Sequence, residues 1–88
     1  MAEVRTFHFE LTTPQATLLA GEAISVVLPA ADGMMGVLAN RAPMLVALGS
    51  GLVTIRRQGR RHRYTVHGGL AAMRDGALRI VAEQCEEL

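Results

Sequence analysis

Eighty-eight residues with a formal net charge of +1 make a single domain, and a chain of this size buries only about 60–65% of its unfolded surface, so it has to be compact. Half the residues are apolar but only Phe7, Phe9 and Tyr64 are aromatic, which leaves Val, Leu, Ile, Ala and Met to build the core. The near-neutral balance excludes a global pull toward nucleic acid or anionic membrane. The single Cys85 excludes an internal disulfide, no secretory signal is visible, and no uncharged run reaches the roughly 18 apolar residues of a membrane span. The expectation is a soluble domain in a reducing compartment.

Strand signals dominate the chain. Phe7, Phe9 and Leu11 alternate with Thr6, His8, Glu10 and Thr12, which is period two with one buried face, and Thr13-Pro14 ends the run because proline cannot donate to a ladder. Gln15 to Ala20 reads as a short second strand broken at Gly21-Glu22. Ala23 to Leu28, rich in β-branched residues, reads as a third, closed by Pro29. A short strand around Val37-Leu38 and another from Met44 to Leu48 follow, then a turn at Gly49-Ser50-Gly51. Leu52 to Arg57 and His62 to Val66 form a hairpin about Gln58-Gly59. Gly68-Gly69 suggests a bulge or a close backbone approach. Leu70 to Met73 continues to a hairpin turn at Asp75-Gly76, and Leu78, Ile80 and Ala82 make the last alternating run. Short strands at intervals of roughly 8–12 residues predict an all-β fold, a single sandwich or flattened barrel of mainly antiparallel strands covering 1–88.

The segment from Asp32 to Leu45 stands out within this pattern. Asp32-Gly33 supplies the turn, yet Met34 and Met35 follow where polar residues are usual. A second break comes at Asn40, which tolerates a left-handed backbone, and Pro43. Adjacent extended residues point apart, so one methionine is expected to fold inward and the other to stay exposed. An exposed methionine is soft and adaptable and suits a mating surface.

Catalytic chemistry is hard to place. His8, His62 and His67 with one cysteine offer no zinc-ligand spacing; His8 and His67 fall on the polar phase of predicted strands. Ser25 and Ser50 have no base in a motif context, and Gly49-Ser50-Gly51 lacks the lysine and helix of a phosphate loop. Cys85 reads as a small packing residue. No catalytic, cofactor-binding or metal-binding residue is assigned, and an enzyme is the reading with least support. The run Arg56-Arg57-Gln58-Gly59-Arg60-Arg61-His62-Arg63 could bind phosphates or an acidic face. The preferred alternative is a solvated turn whose arginines discourage edge-to-edge aggregation. Alternation sends Arg56 and Arg57 to opposite faces, and no aromatics interleave for base stacking.

Taken together, Phe7-x-Phe9-x-Leu11 with Thr13-Pro14, Ile24-x-Val26-x-Leu28-Pro29, Asp32-Gly33-x-x-Gly36-Val37-Leu38 and Ala42-Pro43-Met44-Leu45 form an ordered series. Leu48-x-x-Gly51-x-Val53-x-Ile55, Tyr64-x-Val66-x-Gly68-Gly69 and Val81-Ala82-Glu83 continue it. The series resembles the N-terminal β-sandwich domain of the epsilon subunit of rotary F-type ATP synthases. Each motif alone is weak; their order and spacing span nearly the whole chain.

The resemblance implies a non-catalytic subunit of the central stalk that packs on gamma and rests on the c-ring, so that ion-driven ring rotation and ATP synthesis or hydrolysis stay coupled. It implies a peripheral place on the cytoplasmic face of the bacterial inner membrane, touching the membrane only through the ring, with no cofactor and no nucleic acid partner. The ring-facing loop would comprise Asp32, Met34, Met35, Asn40 and Arg41. Many members carry an acidic residue where Met34 stands, and many carry His in place of Arg41, which stays cationic and suits a carboxylate partner. Family members usually continue into a C-terminal helical hairpin that can inhibit hydrolysis and in some binds ATP; these 88 residues are expected to hold neither that switch nor a nucleotide site. Outward apolar positions such as Val27, Leu52 and Val81 are the candidates to face gamma. The alternative is a small nucleic-acid-binding β-barrel working through the arginine hairpin 56–63.

Overall fold

The computed structural model describes residues 4–88. Its regular elements are seven strands: β1 (Phe7–Thr12), β2 (Thr17–Ala23), β3 (Ser25–Ala30), β4 (Gly33–Leu38), β5 (Met44–Arg57), β6 (Arg60–Arg74) and β7 (Ala77–Glu87). They form one sheet in the order β2-β1-β7-β6-β5-β3-β4. All neighbours are antiparallel except β1 and β7, which run parallel with Leu11 beside Ile80. The predicted all-β, mainly antiparallel fold is therefore present.

Local turn chemistry sets the hairpins. Asp75 and Gly76 both take positive φ (51° and 75°), the requirement of the tight turn whose twist matches its strands. At Gln58-Gly59 only Gly59 is positive. After Thr13, whose Oγ accepts from the backbone N–H groups of Gln15 and Ala16 at 3.3 Å, the chain reverses into β2. Asn40 takes the left-handed backbone expected of it, with φ 69°.

Gly49-Ser50-Gly51 is not a turn: β5 runs straight through it, and β6 runs through Gly68-Gly69. Both strands stay in register, with Leu48 opposite Gly69 and Ser50 opposite His67, and β7 follows with Ala82 opposite Gly69 and Gln84 opposite His67. Gly49, Gly68 and Glu83 occupy the row between and make no pair. On one side of that row the residues turned to the core are Met44, Val46 and Leu48; on the other they are Val53 and Ile55. In β6 the phase steps from Tyr64 and Val66 to Ala71 and Met73. The pleat is thus interrupted along one line across three strands. This crease lets three long strands serve both halves of the fold.

The remaining differences have similar causes. β2 continues through Gly21 to Ala23 instead of breaking there. A β-carbon on Gly21 would stand 2.7 Å from Arg57 Nη2, so the glycine makes room for a guanidinium. β3 continues through Pro29, which falls in the gap where β3 and β5 lose register between Val27 and Ala30. A missing donor costs no ladder bond there. Glu86 and Glu87 extend β7 and start no helix.

The core is aliphatic, as the composition requires. Phe9, Leu11, Leu28, Ile55, Met73, Leu78 and Ile80 are fully buried, joined by Val26, Val37, Val53 and Val66. No polar or charged residue among those described is buried as a whole.

Candidate interaction surfaces

Chemically competent groups are scattered and exposed. His8 lies 3.4 Å from a Glu22 carboxylate oxygen and 3.6 Å from one of Glu10. His67 Nδ1 lies 3.2 Å from Ser50 Oγ across β5 and β6, a pair that sequence reasoning missed because its members are 17 residues apart. Among the described residues no carboxylate bonds that imidazole, so nothing fixes it as a base for the serine. No group of three His, Cys, Asp or Glu among the described residues gathers as metal ligands.

What the strands do build is apolar surface. On the outer face of β5–β6–β7, before the crease, Leu45 pairs with Ala72, and Ala47 with Leu70, which pairs on its other side with Val81. Leu45 is 72% exposed, Leu70 51% and Val81 41%. Three large side chains on adjacent strands, interleaved with two alanines, make a contiguous patch. Pro14 extends it, lining a shallow depression with Leu70 and Val81.

Val81, read from sequence as facing outward, belongs to this patch, whereas Leu45 and Leu70 were missed. Val27 and Leu52 do not join it. Val27 sits opposite Gly36 and Thr54, and Leu52 lies two residues along β5, past the crease. The three gamma-facing candidates therefore divide between two surfaces, and the half-buried Val27 and Leu52 offer less free area than Leu45 or Leu70.

The residues from Asp32 to Arg41 do not form one loop. Ala31 and Asp32 make a two-residue turn, and Met34 and Met35 lie on the edge strand β4. Met34 is 64% exposed, while Met35 is half-buried opposite Leu28, matching the expected split. β4 has six residues and so extends about 20 Å, which puts Asp32 and Asn40 at its opposite ends. Arg41 reaches back along the strand, its Nη2 4.0 Å from Met35 Sδ. Leu38 is 62% exposed at the Asn40 end. The free edge and its exposed Met34 and Leu38 are the second apolar surface.

The arginine hairpin lies where β5 meets β6, beside the start of β3, with Ser25 opposite Arg56. Arg57 is built into the fold: its Nε donates to the Glu22 carbonyl oxygen at 3.1 Å and its guanidinium stands 5.8 Å from the centre of the Phe9 ring. Arg56, Arg60, Arg61 and Arg63 make no ion pair among the described residues. His62 turns toward the core opposite Ile55, and its Nε2 is buried without a hydrogen bond among the described residues.

Comparison with known proteins agrees with the all-β fold. Residues 6–88 match the family described as ATP synthase, Delta/Epsilon chain, beta-sandwich domain. The chain is 38% identical over 77 residues to an ATP synthase epsilon chain of Maricaulis maris, covering 88% of this chain and 58% of that one. With an epsilon chain of Bradyrhizobium sp. it shares 36% over 83 residues, covering 94% and 62%. It thus spans about three-fifths of the length of these relatives. Among solved structures, a chain of the Euglena gracilis mitochondrial ATP synthase superposes with a TM-score of 0.88 at 21% identity, covering 98% of this chain and 56% of that one. A chain from the Tetrahymena thermophila mitochondrial ATP synthase central stalk and c-ring gives 0.79 at 14% identity, covering 97% and 69%. An ordered motif series, a creased all-β sheet and a family match across residues 6–88 lead to one conclusion: the chain belongs to the ATP synthase delta/epsilon family, as its β-sandwich domain.

Proposed function

We propose that this chain is a non-catalytic rotor subunit of an F-type ATP synthase, held to gamma by one apolar surface and to the c-ring by another. The observation that carries the reading is a pair of exposed apolar surfaces on different strands, with Leu70 on β6 and Met34 on the edge strand β4, and β5 and β3 between them in the sheet order. Leu45, Leu70 and Val81 form one, and β4 with Met34 forms the other. A subunit that transmits torque between two bodies needs two attachments that do not compete.

The Leu70 surface suits gamma. It lies on well-paired strands and could anchor an interface of the standard size, about 1,600 Å² in total. β4 and its flanking turns, with Asp32, Met34, Met35, Asn40 and Arg41, are assigned to the ring, where Met34 supplies an adaptable contact and Arg41 a fixed positive charge. Such a subunit would lie at the cytoplasmic face of a bacterial inner membrane and touch the membrane only through the ring. No helix among the described residues is long and apolar enough to cross a membrane.

The test is to mix the purified chain with purified gamma and measure their association by size-exclusion chromatography. A stable one-to-one complex, lost with Leu70→Asp, supports the reading; a chain that elutes alone at micromolar concentration refutes it.

A further inference from the structure

The arginines from 56 to 63 are used by neither surface just described. All nine basic residues of the chain are arginine, and five of them fall between positions 56 and 63. Arg56, Arg57, Arg60 and Arg61 line a shallow depression of about 560 Å³ together with Ile24 and the turn at Gln58-Gly59. Ile24 also lines the adjoining dip, with Arg5, Leu38 and Ala39. One apolar floor is therefore bordered by guanidinium groups on both sides.

We propose that this end of the fold docks an acidic protein segment, one whose carboxylates flank an apolar side chain. Arginine presents a planar fork that matches a carboxylate with two parallel hydrogen bonds. Arg57 is already held by Glu22 and Phe9, so less freedom is lost when it binds. The floor of Ile24 and Leu38 accepts an aliphatic residue between the charges. A nucleic acid strand fits the site less well, because base stacking needs exposed rings and Phe7, Phe9 and Tyr64 are at most 5% exposed. The site borders the β4 surface at Leu38 but rests on the arginines, and it uses neither Leu70 nor Met34.

Fluorescence anisotropy of the 88-residue chain with a labelled synthetic peptide of Glu-Glu-Leu repeats, at low salt, tests the idea. Saturable binding is expected, weakened about tenfold by Arg60→Glu combined with Arg61→Glu, since each reversal replaces an exposed attraction by a repulsion. Leu38→Asp is expected to weaken it too, and Arg74→Glu, at the β6–β7 turn, to leave it within a factor of about two. The neutral pair Arg60→Gln and Arg61→Gln guards against misfolding and should fall between wild type and the double reversal. Absence of saturable binding overturns the proposal. So does an equal effect of Arg74→Glu, or a thymidine oligonucleotide that binds as tightly as the peptide. Intact gamma association with lost peptide binding would separate failure here from failure of the rotor reading.

Discussion

Gly69 lies against the backbone carbonyl of Val81: a β-carbon there would overlap that oxygen and stand 2.9 Å from Ala82 Cα. Its φ of 131° adds a conformation that other residues rarely adopt. Gly68 is tight as well, with Glu83 Oε2 3.0 Å from the position of a β-carbon, but a carboxylate can swing away and a strand backbone cannot. Gly69→Ala is expected to cost about 2–4 kcal/mol, combining backbone strain with a clash that must move β7. Gly36→Ala, which meets nothing within 4 Å, should change stability by less than about 1 kcal/mol. Urea denaturation compares them, and equal midpoints would remove the crease from the explanation of the fold.

Arg57 ties β5 to β1 and β2 through Phe9 and the Glu22 carbonyl. Arg57→Met keeps the stem but loses both contacts, and is expected to cost about 1–2 kcal/mol in this partly exposed setting. The exposed neighbour Arg56→Met should be neutral. A reversed order in thermal denaturation would show that the ring contact carries no weight.

The outer face of β5–β6–β7 separates binding from stability. Because Leu70 and Val81 are exposed, Leu70→Asp and Val81→Asp should leave the urea midpoint nearly unchanged while reducing gamma association at least tenfold, as loss of a central apolar anchor does. Charge at the half-buried Val27 should instead lower stability. Parallel denaturation and size-exclusion measurements distinguish the two effects.

Two groups are expected to make the fold less stable at alkaline pH. Tyr64 is pushed above its ordinary 10.0 by burial first, then by the charges of Glu87 and Cys85. Burial raises Cys85 above 9.0. Both acids hold their protons more tightly folded than unfolded, so between the unfolded and folded values the native state binds more protons and stability falls as pH rises. Their contribution is fully present at neutral pH and should decline above about pH 9. Tyr64→Phe with Cys85→Ala should flatten this alkaline decline in urea titrations; an unchanged slope would assign it to other groups.

The hairpins at Asp75-Gly76 and Gln58-Gly59 were legible because their causes lie within four residues. The Gly49-Ser50-Gly51 crease was not, since a strand that interrupts its pleat carries the same local signature as a turn. Only the rows formed with Gly68 and Glu83 reveal the difference. The same step of phase hid Leu45 and Leu70, because which face is buried changes on crossing the crease. Met34 was found because its exposure follows from alternation beside Met35. Its place on a strand instead of a loop tip depends on pairing with β3.

The most direct measurement is recovery of gamma and c subunits through a tag on this chain, co-expressed with both. Two separate attachments require Leu70→Asp to abolish recovery of gamma. Met34→Asp should leave gamma in place and release the ring. Recovery of both partners unchanged by either substitution, or loss of both together from each, would contradict a rotor subunit with two independent surfaces.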